Sequence, residues 1–490
     1  MVIIEFGKYL LHNSLTEEHS LGCNLEFFTI QVDGSHFTVI KIYDLPVAAR
    51  QGLLLLLQIF RIYSSCRIFL LFSHYYNVLL LIFRRKGSIL LRFLLNQNKF
   101  LTLQQNTDTM KRLLAFCAAL TITVGAFAQQ ALWGGSKIVS PEINDDNSVT
   151  FRLLAPKAVK VQVFGDFAAG EMVEKNGVWE FTTAPLAPEL YSYSFVVDGL
   201  VVRDPSNVYM IRDVATVTNV FIIGGGRADL YKVQDVPHGS VSKVWYHSPT
   251  LNMDRRLTVY TPAGYEQNKK QKYPVFYLLH GAGGDEEAWM DLGRTAQILD
   301  NLIAQGKAEP MIVVMTNGNA GEKAAPGQCP DGFERIPGFQ QRGMMEGSFE
   351  MHFPDVIKYV ESNYRVYKDK KHRAIAGLSM GGYHSLHISK YYPDLFDYVG
   401  LFSAAARFHE DSDCPVYKDE KKQIDTQFEK GLKLYWIAIG NEDFLYDENV
   451  KLRAYLDEKG YTYEYYENGE GHIWRNWREY LTIFAQKIFK

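Results

Sequence analysis

The chain has 490 residues, with 52 Lys+Arg against 55 Asp+Glu for a formal net charge of −3, and is 47% apolar and 22% charged. That length exceeds a single hydrophobic core, the balance excludes a disordered chain, and the near-neutral charge leaves no electrostatic footprint for nucleic acid. Five cysteines spread over such a length exclude a small disulfide-stapled scaffold.

Residues 1–109 are rich in Leu, Ile, Phe, Tyr and Asn and hold one proline, Pro46. The apolar run 53–83 is long enough to span a bilayer, but it carries Arg61 and Arg67, which are costly in lipid. A different pattern opens at Met110: the charged pair Lys111-Arg112, an apolar stretch, and the small-residue site Ala126-Phe127-Ala128. These are the three parts of a secretory signal peptide, which works only at an N-terminus. The pattern therefore predicts a translation start at Met110, a non-native upstream extension over 1–109 and a signal peptide over 110–128. The mature chain is then periplasmic or secreted, with no membrane anchor. The rival is a membrane anchor at 53–83. Phe116 is bulky where a lipobox ahead of Cys117 needs a small residue.

Residues 129–230 carry short alternating runs at 148–153, 159–164, 177–182 and 218–223. The runs 191–197 and 200–203 flank Asp198-Gly199, the chemistry of a type I′ hairpin turn. Short strands with frequent turn signals predict an immunoglobulin-like all-β sandwich. Trp179 alternates with Val178 and Glu180, so it is expected in the core rather than on a sugar platform. The unit is expected to pack on its neighbour and shape a cleft. Trp179, the Tyr191/Tyr193 pair, Val197-Asp198-Gly199 and Asp204-Pro205-Ser206-Asn207 together resemble the early-set modules related to carbohydrate-binding family 48.

From 240 to 490 the pattern turns to strands alternating with helices. Apolar runs at 274–280, 311–315, 374–377, 398–402, 434–439 and 462–466 are separated by helical stretches at 291–307, 353–363, 381–391 and 449–459, with a closing helix to 489. Such a series predicts an α/β domain with a parallel sheet covered on both faces.

The chemistry falls at the ends of those strands. Gly377-Leu378-Ser379-Met380-Gly381 is a G-x-S-x-G motif lying between a buried strand and a helix, the context of a nucleophile elbow. A serine hydroxyl needs a base and the base an orienting acid, each following a later strand in this fold. Gly469-Glu470-Gly471-His472 places His472 as the base, and Gly440-Asn441-Glu442-Asp443 places Asp443 as the acid, with Glu442 and Asp447 as competitors. An acyl transfer also needs oxyanion donors. His280-Gly281-Ala282-Gly283-Gly284 ends the 274–280 strand, so the Ala282 N–H is assigned one donor role, with Gly281 as the neighbouring choice, and Met380 the other. His280 is expected to be structural, as are His352, His372, His387 and His409. No His/Cys/Asp cluster has ligand spacing, so no metal and no cofactor is expected.

Residues 236–490 resemble carbohydrate esterase family 1, the esterase-D-like α/β-hydrolases. The resemblance rests on Trp245-Tyr246-His247-Ser248, Arg255-Arg256, Val259-Tyr260-Thr261-Pro262 with Gly264-Tyr265, Leu278-Leu279-His280-Gly281-Ala282-Gly283-Gly284 and Trp289. It continues through Asn363-Tyr364-Arg365-Val366, the elbow, Gly440 with Asp443, and Gly471-His472. It implies an α/β-hydrolase fold and the triad Ser379, Asp443 and His472. It also implies a serine esterase of feruloyl or acetylxylan type acting on acylated plant polysaccharide or oligosaccharide. Trp474 and Trp477 are candidates to line the acyl slot or to pack the last helix, and His384 is a candidate near the elbow. The Gly/Pro-rich insert 318–347 is expected to be a lid or binding loop, and Cys329 and Cys414 are the cysteines an exported chain could pair. The alternatives are a siderophore-trilactone esterase, which shares the two-part layout, and a non-catalytic glycan-binding protein on the same fold.

Overall fold

The computed structural model describes residues 138–329, 344–409 and 412–490, together with the backbone of six short strands between 25 and 103 that form two antiparallel sheets. The signal peptide expected at 110–128 lies outside the described residues. Among the described residues no helix is long and apolar enough to cross a membrane. Residues 1–133 and 134–490 are separate compact units. The second of them is built in two parts.

Its first part is two antiparallel sheets. One runs in the order Phe167–Glu171, Val161–Gly165, Glu189–Val197, Thr216–Ile223, Met210–Asp213, with Leu200–Val202 paired to the 189–197 strand. The other runs Val173–Lys175, Val178–Thr182, Val149–Leu154, Glu142–Ile143. Alternate residues point between the sheets, so Val149, Phe151, Val161, Val163, Tyr193, Phe195 and Phe221 make one buried cluster. Trp179 belongs to it and donates its indole N–H to the Ala155 carbonyl at 3.0 Å. Asp198 and Gly199 both have positive φ, and Val197 pairs with Leu200, so the hairpin turns on two residues as expected.

The second part is one eight-stranded sheet. In chain order its strands are β1 (Ser240–Ser248), β2 (Met253–Thr261), β3 (Val275–Leu279), β4 (Ile312–Thr316), β5 (Arg373–Leu378), β6 (Tyr398–Phe402), β7 (Leu434–Gly440) and β8 (Glu464–Asn468). Their spatial order is β1-β2-β4-β3-β5-β6-β7-β8, the order of an α/β-hydrolase sheet. β3 to β8 are parallel, while β1 and β2 are antiparallel. That antiparallel pair departs from the expected all-parallel sheet. Its residues mix polar and apolar without a continuous apolar run.

Among the described residues, six helices of ten or more residues cover the faces: α1 (Thr295–Ala304), α2 (Ser348–Asn363), α3 (Met380–Tyr391), α4 (Glu420–Glu429), α5 (Tyr446–Glu458) and α6 (Trp474–Ala485). Successive strand residues go to opposite faces. Phe276, Leu278, Ala376 and Trp436 pack with α1 and α6, while Val275, Tyr277, Ile375 and Ile437 pack with α2, α3 and α5. Leu190, Ile211, Val220 and Ala228 of the β unit join the first of these cores, so the β unit docks on the α1/α6 side.

Candidate active site

The parallel register carries the ends of β5, β7 and β8 to one edge of the sheet, since Leu378 pairs with Phe402, Phe402 with Ala438 and Gly440 with Asn468. Ser379 follows β5 in a left-handed backbone conformation, φ 53° and ψ −114°, immediately before α3. Glycine at 377 and 381 is a steric requirement of this turn. A Cβ on Gly381 would lie 2.3 Å from the Leu279 carbonyl oxygen, and one on Gly377 would lie 2.5 Å from the backbone of Gly381. The turn is tied down by the Ser379 N–H donating to the Phe402 carbonyl at 2.9 Å, while its own carbonyl accepts from Tyr383.

Asp443 follows β7 and is 4% exposed. Both its oxygens accept from His472 Nδ1, at 3.0 and 2.9 Å. Asp443 Oδ1 also accepts the Leu445 N–H at 2.9 Å, which fixes the carboxylate. With Nδ1 committed as donor, Nε2 is the basic nitrogen of His472. Of the three candidate acids, Asp443 is the one that meets the imidazole; Glu442 and Asp447 are exposed. The His472 ring is flanked by Trp477, edge-on at 4.9 Å between centroids, and by Phe444 at 4.5 Å.

The loop after β3 presents Ala282, whose N–H donates to no other group among the described residues. Met380 is the first residue of α3, where helix N–H groups have no internal acceptor and the helix dipole is positive. His280 holds this loop from inside. Its Nε2 accepts the Gly318 N–H at 2.7 Å, so Nδ1 is the protonated nitrogen and donates to the Gly281 carbonyl, also at 2.7 Å. Complete burial pushes its pKa down to about 4, so it stays neutral.

Arg255 and Arg256 anchor the next segment. Arg255, 1% exposed, donates to the carbonyls of Asn317, Asn319 and Glu322 and to His352 Nε2. Arg256 faces Glu286 and Glu287. The start of the 318–347 insert is thus pinned and largely buried, while 330–343 lie outside the described residues. Cys329 and Cys414 are not joined to each other.

Of the three candidate binding residues, His384 lies in the interior and the tryptophans take the packing role that the sequence leaves open beside the acyl slot. His384 is fully buried, with Nδ1 2.7 Å from Glu350 Oε1, so it offers a substrate no surface. It lies on the buried side of α3, its ring converging with the side chains of Met380 and His280 around Gly318. Trp477 is 6% exposed and packs behind the base, and Trp474 stacks edge-on between Trp477 and Trp289. Both therefore support His472 and α6; Trp474 is half-buried and keeps an accessible edge. Phe444, by contrast, belongs to no motif read from the sequence and is 75% exposed beside His472. An aromatic residue directly after the acid is the signal for it.

The fold also gathers His387, His409 and Glu420, with one ligand atom of each within 4.8 Å of the others. Linear spacing cannot show this, because the three come from α3, a loop and α4. The Lys390 ammonium lies 3.6 Å from Glu420 Oε2 and supplies the positive charge there.

Residues 248–485 match the model of a family described as "Putative esterase". An endo-1,4-beta-xylanase/feruloyl esterase of Xylanibacter ruminicola is 30% identical over 360 residues, covering 71% of this chain and 46% of that relative. An esterase of Mycobacterium tuberculosis is 29% identical over 210 residues, covering 41% of this chain and 40% of the relative. The chain thus spans less than half the length of these curated relatives. Among solved structures, an enterobactin esterase from Shigella flexneri superposes with a TM-score of 0.51 at 16% identity, covering 69% of this chain and 92% of that one. That likeness is one of fold.

Proposed function

We propose that this chain is an exported serine carboxylic-ester hydrolase that removes feruloyl or acetyl groups from plant hemicellulose fragments. The observation that carries the reading is the Asp443 carboxylate gripping His472 Nδ1 at the sheet edge where Ser379 stands on its elbow. In this reading His472 Nε2 takes the Ser379 proton as the hydroxyl attacks the ester carbonyl, and the N–H groups of Ala282 and Met380 receive the oxyanion. The imidazolium then returns the proton to the leaving sugar hydroxyl, and water repeats the sequence on the acyl-enzyme. Asp443 holds the tautomer and stabilises the imidazolium.

The acyl choice leans on Phe444, an exposed ring beside the base, and on the feruloyl esterase part of the relative's name. We read the β unit as an immunoglobulin-like early-set module and the 110–128 segment as the export signal. A trilactone esterase is the second substrate reading, suggested by the enterobactin esterase whose fold covers 69% of this chain.

The test is the full chain with and without Ser379→Ala, assayed on methyl ferulate, acetylated xylan and a catecholate trilactone. Ferulate release that falls about 10³-fold or more in the variant is expected. Acetate release alone would shrink the acyl pocket, trilactone turnover alone would move the substrate, and a parent without turnover on any ester would overturn the reading.

A further inference from the structure

One hairpin of the β unit reaches the loop assigned to the oxyanion. Its strands, Met210–Asp213 and Thr216–Ile223, turn at Val214 and Ala215. Val214 has φ 50°, a conformation that a β-branched residue adopts only when its surroundings hold it there. Arg212 does the holding. One arm of its guanidinium donates to the Val214 carbonyl at 3.1 Å, and the other pairs with Asp285, which is 3% exposed. Asp285 in turn accepts the Glu287 N–H at 3.0 Å.

The Val214 side chain lands on Gly283, next to Ala282. A Cβ built on Gly283 would lie 2.7 Å from Val214 Cγ1, so the valine fills the place a side chain would take. Gly283 itself has φ 76°. The hairpin also nears the base, because Asp213 lies beside Trp474, which packs against Trp477 behind His472.

We propose that the 210–216 hairpin is the outer wall of the oxyanion hole, with Val214 and Arg212 as positioning residues that fix the Ala282 N–H. The inference rests on the esterase reading. Ala282-Gly283-Gly284 has almost no side chain with which to restrain itself. His280 fastens the loop from inside, and the β unit fastens it from outside. A preorganised donor acts mainly where charge develops, so loosening it slows the chemical step while leaving ester binding nearly intact.

Val214→Ala, Arg212→Ala and Arg212→Lys in the full chain are compared with the parent for kcat and KM on p-nitrophenyl acetate. Inhibition by a trifluoromethyl ketone, which places an alkoxide in the hole, is compared with inhibition by acetate. Both alanine variants are expected to lose about 10- to 100-fold in kcat with KM within about threefold. Ketone inhibition should weaken in step with kcat/KM while acetate inhibition holds, and Arg212→Lys should recover part of the loss. Folded variants with parental kcat and ketone affinity, or with both inhibitors weakened alike, overturn the proposal. A parent without ester turnover overturns the esterase reading instead, and if Val214→Ala does not fold, the Arg212 pair decides.

Discussion

At the scale of single residues, the site divides into groups that the chemistry demands and groups that only the fold reveals. Ser379, Asp443 and His472 are legible because each sits in a short glycine-marked motif directly after a strand, and Asp443 does meet His472 at 2.9 Å. Phe444 belongs to the other kind. Its ring is 75% exposed and 4.5 Å from the His472 ring, an arrangement with no role in packing the core. An exposed aromatic at that point suits a planar acyl group, and stacking between aromatic rings contributes roughly 0.5–1.5 kcal/mol. Phe444→Ala is therefore expected to raise KM for methyl ferulate about 3- to 10-fold, with kcat nearly unchanged and acetyl ester turnover unaffected. Equal effects on both esters would remove Phe444 from the acyl slot.

At the scale of elements, the buried parallel strands are legible as continuous apolar runs, because both faces of β3 to β7 are covered. The pair β1 and β2 escapes such a reading, since their mixed residues carry no such run, and α4 escapes because its exposed face is almost wholly charged. His384 lies in the interior, and the choice for Trp477 between acyl slot and helix packing stays open in the sequence, for a common reason: nearness in sequence to Ser379 or His472 does not tell which side of a helix a residue occupies. The link between β3 and the segment after β4 has a pH dependence of its own. His280, 1% exposed, accepts the Gly318 N–H and is held near pKa 4 by burial, against an ordinary value of 6.5. Between those two values the unfolded chain binds a proton that the folded chain refuses, so stability falls as pH drops below about 6.5. One such group contributes about 1.4 kcal/mol per pH unit in that window, or about 2 kcal/mol between pH 6.5 and 5. Glu286, pushed up to about 7 chiefly by burial, acts in the opposite sense, its stabilisation being lost as pH rises toward 7. The parent-minus-variant difference isolates the histidine. Urea unfolding of His280→Gln at pH 6.5 and 5 should show a drop smaller than the parent's by about 2 kcal/mol, and an unchanged drop would mean that His280 is protonated in the folded chain.

For the whole molecule, the question is whether the β unit and the eight-stranded sheet unfold together. Units within a chain commonly move independently unless their interface is large and apolar. Here Leu190, Ile211, Val220 and Ala228 of the β unit lie in one continuous core with Ile298, Leu299 and Leu302 of α1 and Leu481 and Phe484 of α6. At its margin Glu189, 2% exposed, accepts from Arg478 at 3.1 Å and Arg227 at 3.3 Å, and Arg478 also donates to the Leu292 and Leu190 carbonyls. This ion pair sits across the junction, with its charges withdrawn from water on both sides. Glu189→Ala removes the carboxylate and leaves the buried Arg478 guanidinium uncompensated, a loss of about 3–5 kcal/mol by comparison with broken buried pairs elsewhere. Glu189→Gln keeps an acceptor for Arg478 and should cost less. If the shared core couples the two parts, urea unfolding followed by tryptophan fluorescence and by far-ultraviolet circular dichroism gives coincident midpoints in the parent. Both probes should then shift together in Glu189→Ala, because the β unit has no stability to lose separately. Midpoints that separate in the variant would show that the core joins two units without making them one, and would loosen the hairpin at Val214 from the catalytic loop as well.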